Sequence, residues 1–415
     1  MKTFVRWCFS LLGAIALAIS IPSANAQQPV KIGMGISQTG GLGSGGKAAL
    51  LAIRMWVEDV NAKGGLLGRK VELVVYDDQS NPATTPGIYT KLLDIDKVDL
   101  LIGPYASVPT APIMPLIKQR DLLLMTNFTF ELNRDLKHDK VFNNAPWTDA
   151  VSLIGGVFRI GEQAGAQTVA FLAADQEFTQ NVTNGAKNIA KKQGLRTVYD
   201  QTYPPGTVDF SAMIRAVRAA KPDIVFVACY PNEAVGILRG VNEIGVGESV
   251  KVFGGAMIGL QFTPVMETLG SLMNGVVNFT SYAPEKTMEF PGVKDFLARY
   301  AKRAVEEKVD PLGYYLPPFS YAIGQMLEQS VNATKSLDPK ILADYLHKNE
   351  MQTIVGAIRF NELGERLTPS VPLVQFRGII DKNIEQFRNP GKQVIVYPPD
   401  LKTGDAIVPF EKARK

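Results

Sequence analysis

The chain alternates between two hydrophobic rhythms. Residues 30–36 form a short apolar run that ends in a glycine-rich turn. Residues 46–61 then repeat with helical spacing, so that Leu50, Ile53, Val57 and Val60 fall on one face. Gly64 and Gly65 mark the end of that helix. Residues 70–76 favour a strand closed by Asp77 and Asp78. Residues 85–94 read as a helix, and 98–102 as a fully apolar strand stopped by Gly103 and Pro104. Such alternation predicts a parallel sheet flanked by helices, with right-handed crossovers.

The rhythm then restarts. Strands are expected at 168–173, 197–201, 224–228 and 251–253, and helices at 179–193, 210–220 and 232–244. This is a second α/β unit of similar plan. Residues 141–149, with Asn143, Asn144, Pro146 and Trp147, read as a crossing between the units, and 275–284 as another. Beyond them, 292–308, 318–334 and 339–347 are helical in pattern, while 354–360 and 373–377 look like strands. Residues 391–415 are rich in Pro and Lys, and an ordered but only partly packed tail is expected there. Two α/β units joined by short crossings form a hinge. Because open α/β sheets bind ligands beyond the carboxyl ends of their strands, the ligand is expected in the cleft between them.

Composition narrows the function. A length of 415 residues suits two domains rather than one core. A net charge of +4, with both signs mixed along the chain and no basic stripe, argues against a nucleic-acid partner. Lys2 and Arg6, an apolar run over 7–21 and the small residues Ala24-Asn25-Ala26 read as a secretory signal over 1–26, which implies export. The apolar run is shorter than the ~20 residues a membrane span needs. Cys8 leaves with that signal. Cys229 then stands alone, and packing rather than a disulfide must hold the fold.

Candidate chemistry is sparse. Gly41, Gly43 and Gly46 fit G-x-G-x-x-G between a strand and a helix, with Asp77 and Asp78 near the place of a ribose-binding acid. The motif reads either as a dinucleotide cradle or as a loop that lets the chain turn. The two histidines, His138 and His347, lack the setting of a buried general base, and no nucleophile-elbow or zinc-ligand spacing occurs. No catalysis, cofactor or metal is therefore expected, although spacing does not exclude a carboxylate enzyme. Tyr105, Ala106 and Ser107 follow an apolar strand, and Ser107 is placed to cap a helix running to about Gln119. Free amides and a hydroxyl there suit a carboxylate, or form a plain cap. Thr126 and Thr129 end the next strand and offer further hydroxyls.

The order of these motifs resembles a known family. Lys31-Ile32-Gly33, Thr39-Gly40 and the glycine loop come first. The run from Val60-Asn61-Ala62-Lys63-Gly64-Gly65-Leu66-Leu67-Gly68-Arg69 to Lys70 follows, then Tyr76-Asp77-Asp78-Gln79-Ser80-Asn81-Pro82, Leu101-Ile102-Gly103-Pro104 and Asp209-Phe210-Ser211-Ala212. Together they resemble the leucine/isoleucine/valine-binding family of periplasmic solute-binding proteins that feed ABC transporters, over residues 30–377. The resemblance implies an α/β fold of two lobes, 27–146 with 279–355 and 147–278 with 356–390, joined by three crossings around a buried ligand. It also implies a monomer in the periplasm that binds a small-molecule solute and delivers it to a membrane permease. A sensory module of the same fold is the alternative.

Amino-acid-binding members hold the ligand carboxylate through a serine after the third strand and a loop after the fourth. Those positions match Ser107, and Phe128 with Thr129. The rest of that site departs from the pattern. The acid that meets the ammonium falls at Ala256, its neighbouring tyrosine at Cys229, and the first-loop aromatic at Ser44 and Gly45. The cysteines of a disulfide found in some members fall at Ser80 and Ala106. A buried ammonium without a carboxylate partner is costly. The departures therefore imply a carboxylate ligand without an α-ammonium, and extra room near Gly45 and Ala256. Tyr105, Phe128, Phe178, Tyr230 and Tyr315 match the pocket wall, which favours an aromatic or other apolar acid. The alternative is that another acid, Glu233, serves an amino acid.

Overall fold

A computed structural model describes residues 27–415, so the expected signal over 1–26 lies outside the described residues. The first sheet is built from β1 (Val30–Ile36), β2 (Val71–Asp77), β3 (Leu100–Tyr105), β4 (Leu124–Asn127) and β5 (Val141–Asn143). Their spatial order is β2-β1-β3-β4-β5, and all pairs are parallel. Between them run α1 (Gly43–Ala62), α2 (Thr85–Asp94), the short α3 (Ser107–Thr110), α4 (Met114–Gln119) and α5 (Asn133–Leu136). The expected strands and helices are present.

Two local expectations fail. β3 does not stop at Gly103-Pro104 but runs on to Tyr105. Its register against β4 shifts between Ile102 and Tyr105, around a proline that has no N–H to give. The strand thus absorbs the proline as a bulge. The helix expected from Ser107 to Gln119 is broken into α3, one 3-10 turn at Ala111–Ile113, and α4, because Pro109, Pro112 and Pro115 each remove a helical donor.

The chain crosses at 144–149 and enters α6 (Ala150–Gln163). Asp149 and Ser152 close that helix start as a reciprocal capping box, the Ser152 amide donating to Asp149 Oδ1 at 2.8 Å. Then follow β6 (Thr168–Ala174), α7 (Glu177–Lys192), β7 (Arg196–Tyr203), α8 (Ser211–Ala220), β8 (Ile224–Cys229), α9 (Pro231–Ile244), β9 (Val252–Met257), α10 (Thr263–Leu269) and β10 (Val277–Phe279). A second crossing at 280–292 returns the chain to the first lobe. There α11 (Val293–Glu307), α12 (Pro317–Thr334) and α13 (Pro339–Lys348) precede the hairpin β11 (Met351–Thr353) and β12 (Gly356–Ile358). α12 lies tightly on α1. A Cβ at Gly324 would stand 2.0 Å from the Trp56 ring, whose Nε1 donates to Glu328 at 3.2 Å.

The third crossing comes later than the expected boundary at 355/356. Phe360 still packs on Phe142 at 5.0 Å, and the Asn143 amide donates to the Gly364 carbonyl at 2.8 Å. Residues 356–366 therefore stay with the first lobe, and the chain leaves it at 367–372. β13 (Leu373–Phe376) and β14 (Gln393–Tyr397) then complete a seven-stranded sheet, β14-β13-β10-β9-β8-β6-β7. Both join antiparallel at its edge. Residues 391–415 are ordered and partly packed, and they add β14 to this sheet. Ile395 is fully buried in β14, and Phe410, in α14 (Phe410–Ala413), stacks on Phe253 at 5.0 Å. The fold is α/β, with two helix-flanked lobes.

Candidate functional site

The carboxyl ends of the parallel strands in the two sheets face one another, and the loops beyond them meet. Phe130, after β4, touches Phe178, at the start of α7, edge to face at 5.8 Å across the lobes. On the first lobe the chain leaves β3 through Ala106, a non-glycine residue at φ 75°. That left-handed turn is costly for alanine. It is held by the Ala106 amide donating to the Asn127 carbonyl at 3.1 Å, and it brings Ser107 to the start of α3. Contrary to expectation, Ser107 does not cap a helix. Its Oγ accepts from the Phe130 amide at 3.0 Å, which leaves the hydroxyl proton free to donate.

Ser107 lines a small chamber with Tyr105, Ala106 and Phe128 of the first lobe, and with Phe178, Tyr230 and Ile258 of the second. Tyr315 and Trp147 close it. Seven of the expected residues therefore converge here. The chamber is almost filled by its own walls. Tyr315 meets Phe128 at 5.1 Å, Phe262 at 5.3 Å and Tyr105 at 6.1 Å, all edge to face. The remaining space is about 10 Å³, enough for one water. An organic ligand enters only if the lobes part or the rings turn.

The hydroxyls of Tyr105 and Tyr230 are buried and make no well-formed hydrogen bond among the described residues, the Tyr315 hydroxyl lying near that of Tyr105 without the geometry of a bond. Burial pushes the phenols of Tyr105, Tyr230 and Tyr315 well above the ordinary tyrosine range, so all three stay neutral donors. Among the described residues, no lysine, arginine or histidine lines the chamber.

Five expected residues do not line it. Ser44 is exposed on the outer side of the first turn of α1. Gly45 leaves no room: a Cβ there would stand 2.7 Å from Tyr105, 3.1 Å from Leu316 and 3.2 Å from Phe262. Phe262, arriving after β9, fills the space that an aromatic of the first loop would take. Ala256 is buried inside β9, paired with Ala228. Thr129 turns its hydroxyl to that of Thr126 at 3.1 Å, and its carbonyl accepts from Trp147 Nε1 at 3.0 Å. It thus positions Trp147, a chamber residue that the sequence marks only as part of a crossing. Cys229 ends β8, fully buried. Burial, and after it the Glu233 carboxylate, pushes its thiol up, away from the reactive thiolate. The folded mature protein is expected to react with a disulfide-exchange dye at least about tenfold more slowly than the urea-unfolded protein. Equal rates would show that Cys229 is reachable from solvent.

Beside the chamber, and sharing Tyr230, lies a larger recess of about 240 Å³ between the lobes. Leu42, Ser80 and Val108 line it from the first lobe, and Gln176, Gly206 and Glu233 from the second. Glu233 is only 4% exposed. Its Oε1 accepts from the Gly206 amide at 3.1 Å, while its Oε2 and the Gln176 Oε1 are buried without partners among the described residues. The cleft therefore does carry an acid. It sits in the first turn of α9, after β8, rather than at Ala256, and is the acid named by the alternative amino-acid reading.

Away from the cleft, ligand atoms of Asp121, His138 and Asp139 lie within 4.8 Å of one another, but both acids are exposed and Lys140 already pairs with Asp121. No described helix is long and apolar enough to cross a membrane.

Comparison with known proteins matches residues 29–379 to the family model for periplasmic binding proteins. The chain is 25% identical over 361 residues to an amino acid binding protein of Pseudomonas aeruginosa, covering 85% of this chain and 92% of that one. It is 24% identical over 356 residues to the Leu/Ile/Val-binding protein of Escherichia coli K12, covering 86% and 92%. Among solved structures, an ABC-transporter solute-binding protein of R. palustris in complex with benzoate superposes with a TM-score of 0.72 at 18% identity, over 85% of this chain and 94% of that one. A branched-chain amino acid transporter substrate-binding protein of Streptococcus pneumoniae in complex with isoleucine also gives 0.72 at 18% identity, over 86% and 97%. Both show a shared fold.

Proposed function

The chain belongs to the periplasmic binding protein family, the solute-binding proteins of ABC transporters, and from that premise we propose that its ligand is a small carboxylate with an aromatic or otherwise apolar body. The observation that carries this reading is the set of neutral hydroxyls of Ser107, Tyr105 and Tyr230 in one apolar chamber, two of them without a well-formed hydrogen bond among the described residues. A carboxylate turns such hydroxyls into short, charge-assisted hydrogen bonds. It needs no counter-charge where several donors are already oriented. The rings of Phe128, Phe178 and Tyr315 then offer edges and faces to a planar or apolar body. The fold itself hosts both ligand classes, since the two solved structures of this fold bear benzoate and isoleucine. The choice therefore rests on this chain's own side chains.

One observation favours a second reading. Glu233 Oε2 and Gln176 Oε1 are unsatisfied acceptors beside the chamber, and a ligand bearing an ammonium or hydroxyl would satisfy them. With an ammonium, this is the amino-acid reading.

A thermal-shift panel separates the two. At a ligand concentration of 100 Kd, binding adds about 2.7 kcal/mol to apparent stability. The mature protein is expected to gain stability with benzoate or 4-hydroxybenzoate and none with leucine. A gain with leucine and none with any acid lacking an amine would defeat the proposal and establish the second reading. We further propose that the protein is exported by its first 26 residues, works as a monomer in the periplasm, and releases its ligand to a membrane permease when the lobes open.

A further inference from the structure

The three crossings that form the hinge each contribute to the wall of another cavity, of about 410 Å³. Pro146 comes from the first crossing, Ser281 from the second and Pro369 from the third. Into it faces Arg366, a side chain that no motif singled out. Arg366 is 8% exposed. Its Nε and Nη2 have no hydrogen-bond partner, and the guanidinium forms no ion pair among the described residues. Its one neighbour of note is the Phe319 ring, 5.5 Å from the guanidinium carbon. Burial alone lowers its pKa, to about 10, so it remains a cation at neutral pH. A buried, unpaired cation costs several kcal/mol. Proteins keep such a group where something of opposite charge comes to meet it.

The rest of the wall describes that partner. Ser281 Oγ is buried and has no partner among the described residues, a second donor on the same cavity. Met288, Phe290, Phe319 and Val355 make one wall apolar, while Tyr282, Thr368 and Ser370 add polar groups elsewhere. Asp400 also lines the cavity and is exposed to solvent, where its repulsion of an anion is screened. A planar guanidinium with two free N–H groups matches the two oxygens of a carboxylate. The apolar wall suits an organic body rather than a hydrated inorganic ion.

We propose that the hinge cavity is a second binding site, for a small organic carboxylate whose oxygens meet Arg366 and whose apolar body lies against Met288 and Phe290. This site does not depend on what the cleft binds. Phe319 separates the two: its ring meets Phe128 of the cleft chamber at 4.9 Å on one side and Arg366 on the other.

Crystals of the mature protein soaked with 4-bromobenzoate test the assignment through the anomalous signal of bromine. A peak among Met288, Phe290 and Val355 is expected, lost in Arg366→Met and absent with neutral 4-bromobenzamide. A peak only in the cleft would overturn the hinge site and leave the cleft reading standing. A peak only in the hinge would do the reverse. Persistence of the hinge peak in Arg366→Met, or equal peaks for acid and amide, would overturn the role of Arg366. The amide comparison needs only the wild-type protein and decides the matter even if the variant does not fold.

Discussion

Ser107→Ala is expected to weaken binding of the best carboxylate from the thermal-shift panel by about 10- to 100-fold, measured by calorimetry, because a hydrogen bond to a charged group contributes about 1.5–3 kcal/mol. The hydroxyl has two roles that the variant separates. Its oxygen accepts from the Phe130 amide at 3.0 Å, and its proton is free for the ligand. Loss of the oxygen leaves a buried amide unpaired and should lower the stability of the ligand-free protein by about 1–3 kcal/mol. Loss of the proton acts only on the complex. A variant that loses stability but binds as tightly as the wild type would confine Ser107 to holding the loop after β4. The carboxylate would then have to be placed elsewhere in the cleft. Loss of both quantities places the anion at the start of α3, with Tyr105 and Tyr230 as its remaining donors.

The alternation of strand and helix was enough to read both sheets, because apolar runs such as Val30–Ile36 are buried on both faces and carry no competing pattern. What misled was local punctuation. Gly103-Pro104 reads as a stop, yet β4 pairs with Tyr105 beyond it. Gly103 permits this, since a Cβ there would come within 3.3 Å of the Thr126 Cα. The residues after 390 read as tail because Pro and Lys recur along them. A few well-spaced apolar residues, Ile395, Val396 and Phe410, were enough to seat them on the second lobe. The site was legible where one strand end determines it, as at Tyr105-Ala106-Ser107. It was not legible where two distant elements share a space. Phe262 fills the volume beside Gly45 from the other lobe, and Glu233 supplies an acid from a different strand end than the one where the resemblance places it. Thr129 lay at the right position along the chain, but its side chain turns the other way. Arg366 carried no signal at all, since a lone arginine just before a crossing declares nothing until its surroundings are known.

The largest loss of stability is expected from Gly46→Ala, and its contrast with Gly41→Ala decides what the glycine run at the start of α1 is for. A Cβ at residue 46 would lie 1.7 Å from the Ser37 carbonyl oxygen, whereas one at residue 41 meets nothing within 4 Å. Neither partner of the first contact is free to yield. The Gly46 amide donates to the Leu42 carbonyl at 3.0 Å in the first turn of α1. Ser37 is tied down by its hydroxyl, which donates to the buried Asp78 at 2.5 Å. Helix and strand end must therefore separate, and with them the packing of α1 on α12. Overpacking commonly costs 1–3 kcal/mol, and a clash against fixed backbone falls at or above the top of that range, about 3 kcal/mol. Gly41→Ala is expected to stay within about 0.5 kcal/mol of wild type, as surface changes do. The comparison is made on the denaturant midpoints of the two variants. A large loss at 46 and none at 41 means that the motif is glycine-rich because a helix must approach the end of β1 closely. Equal midpoints would mean that the approach is not tight. A loss at residue 41 alone would return attention to the run as a loop whose backbone is shaped for something bound.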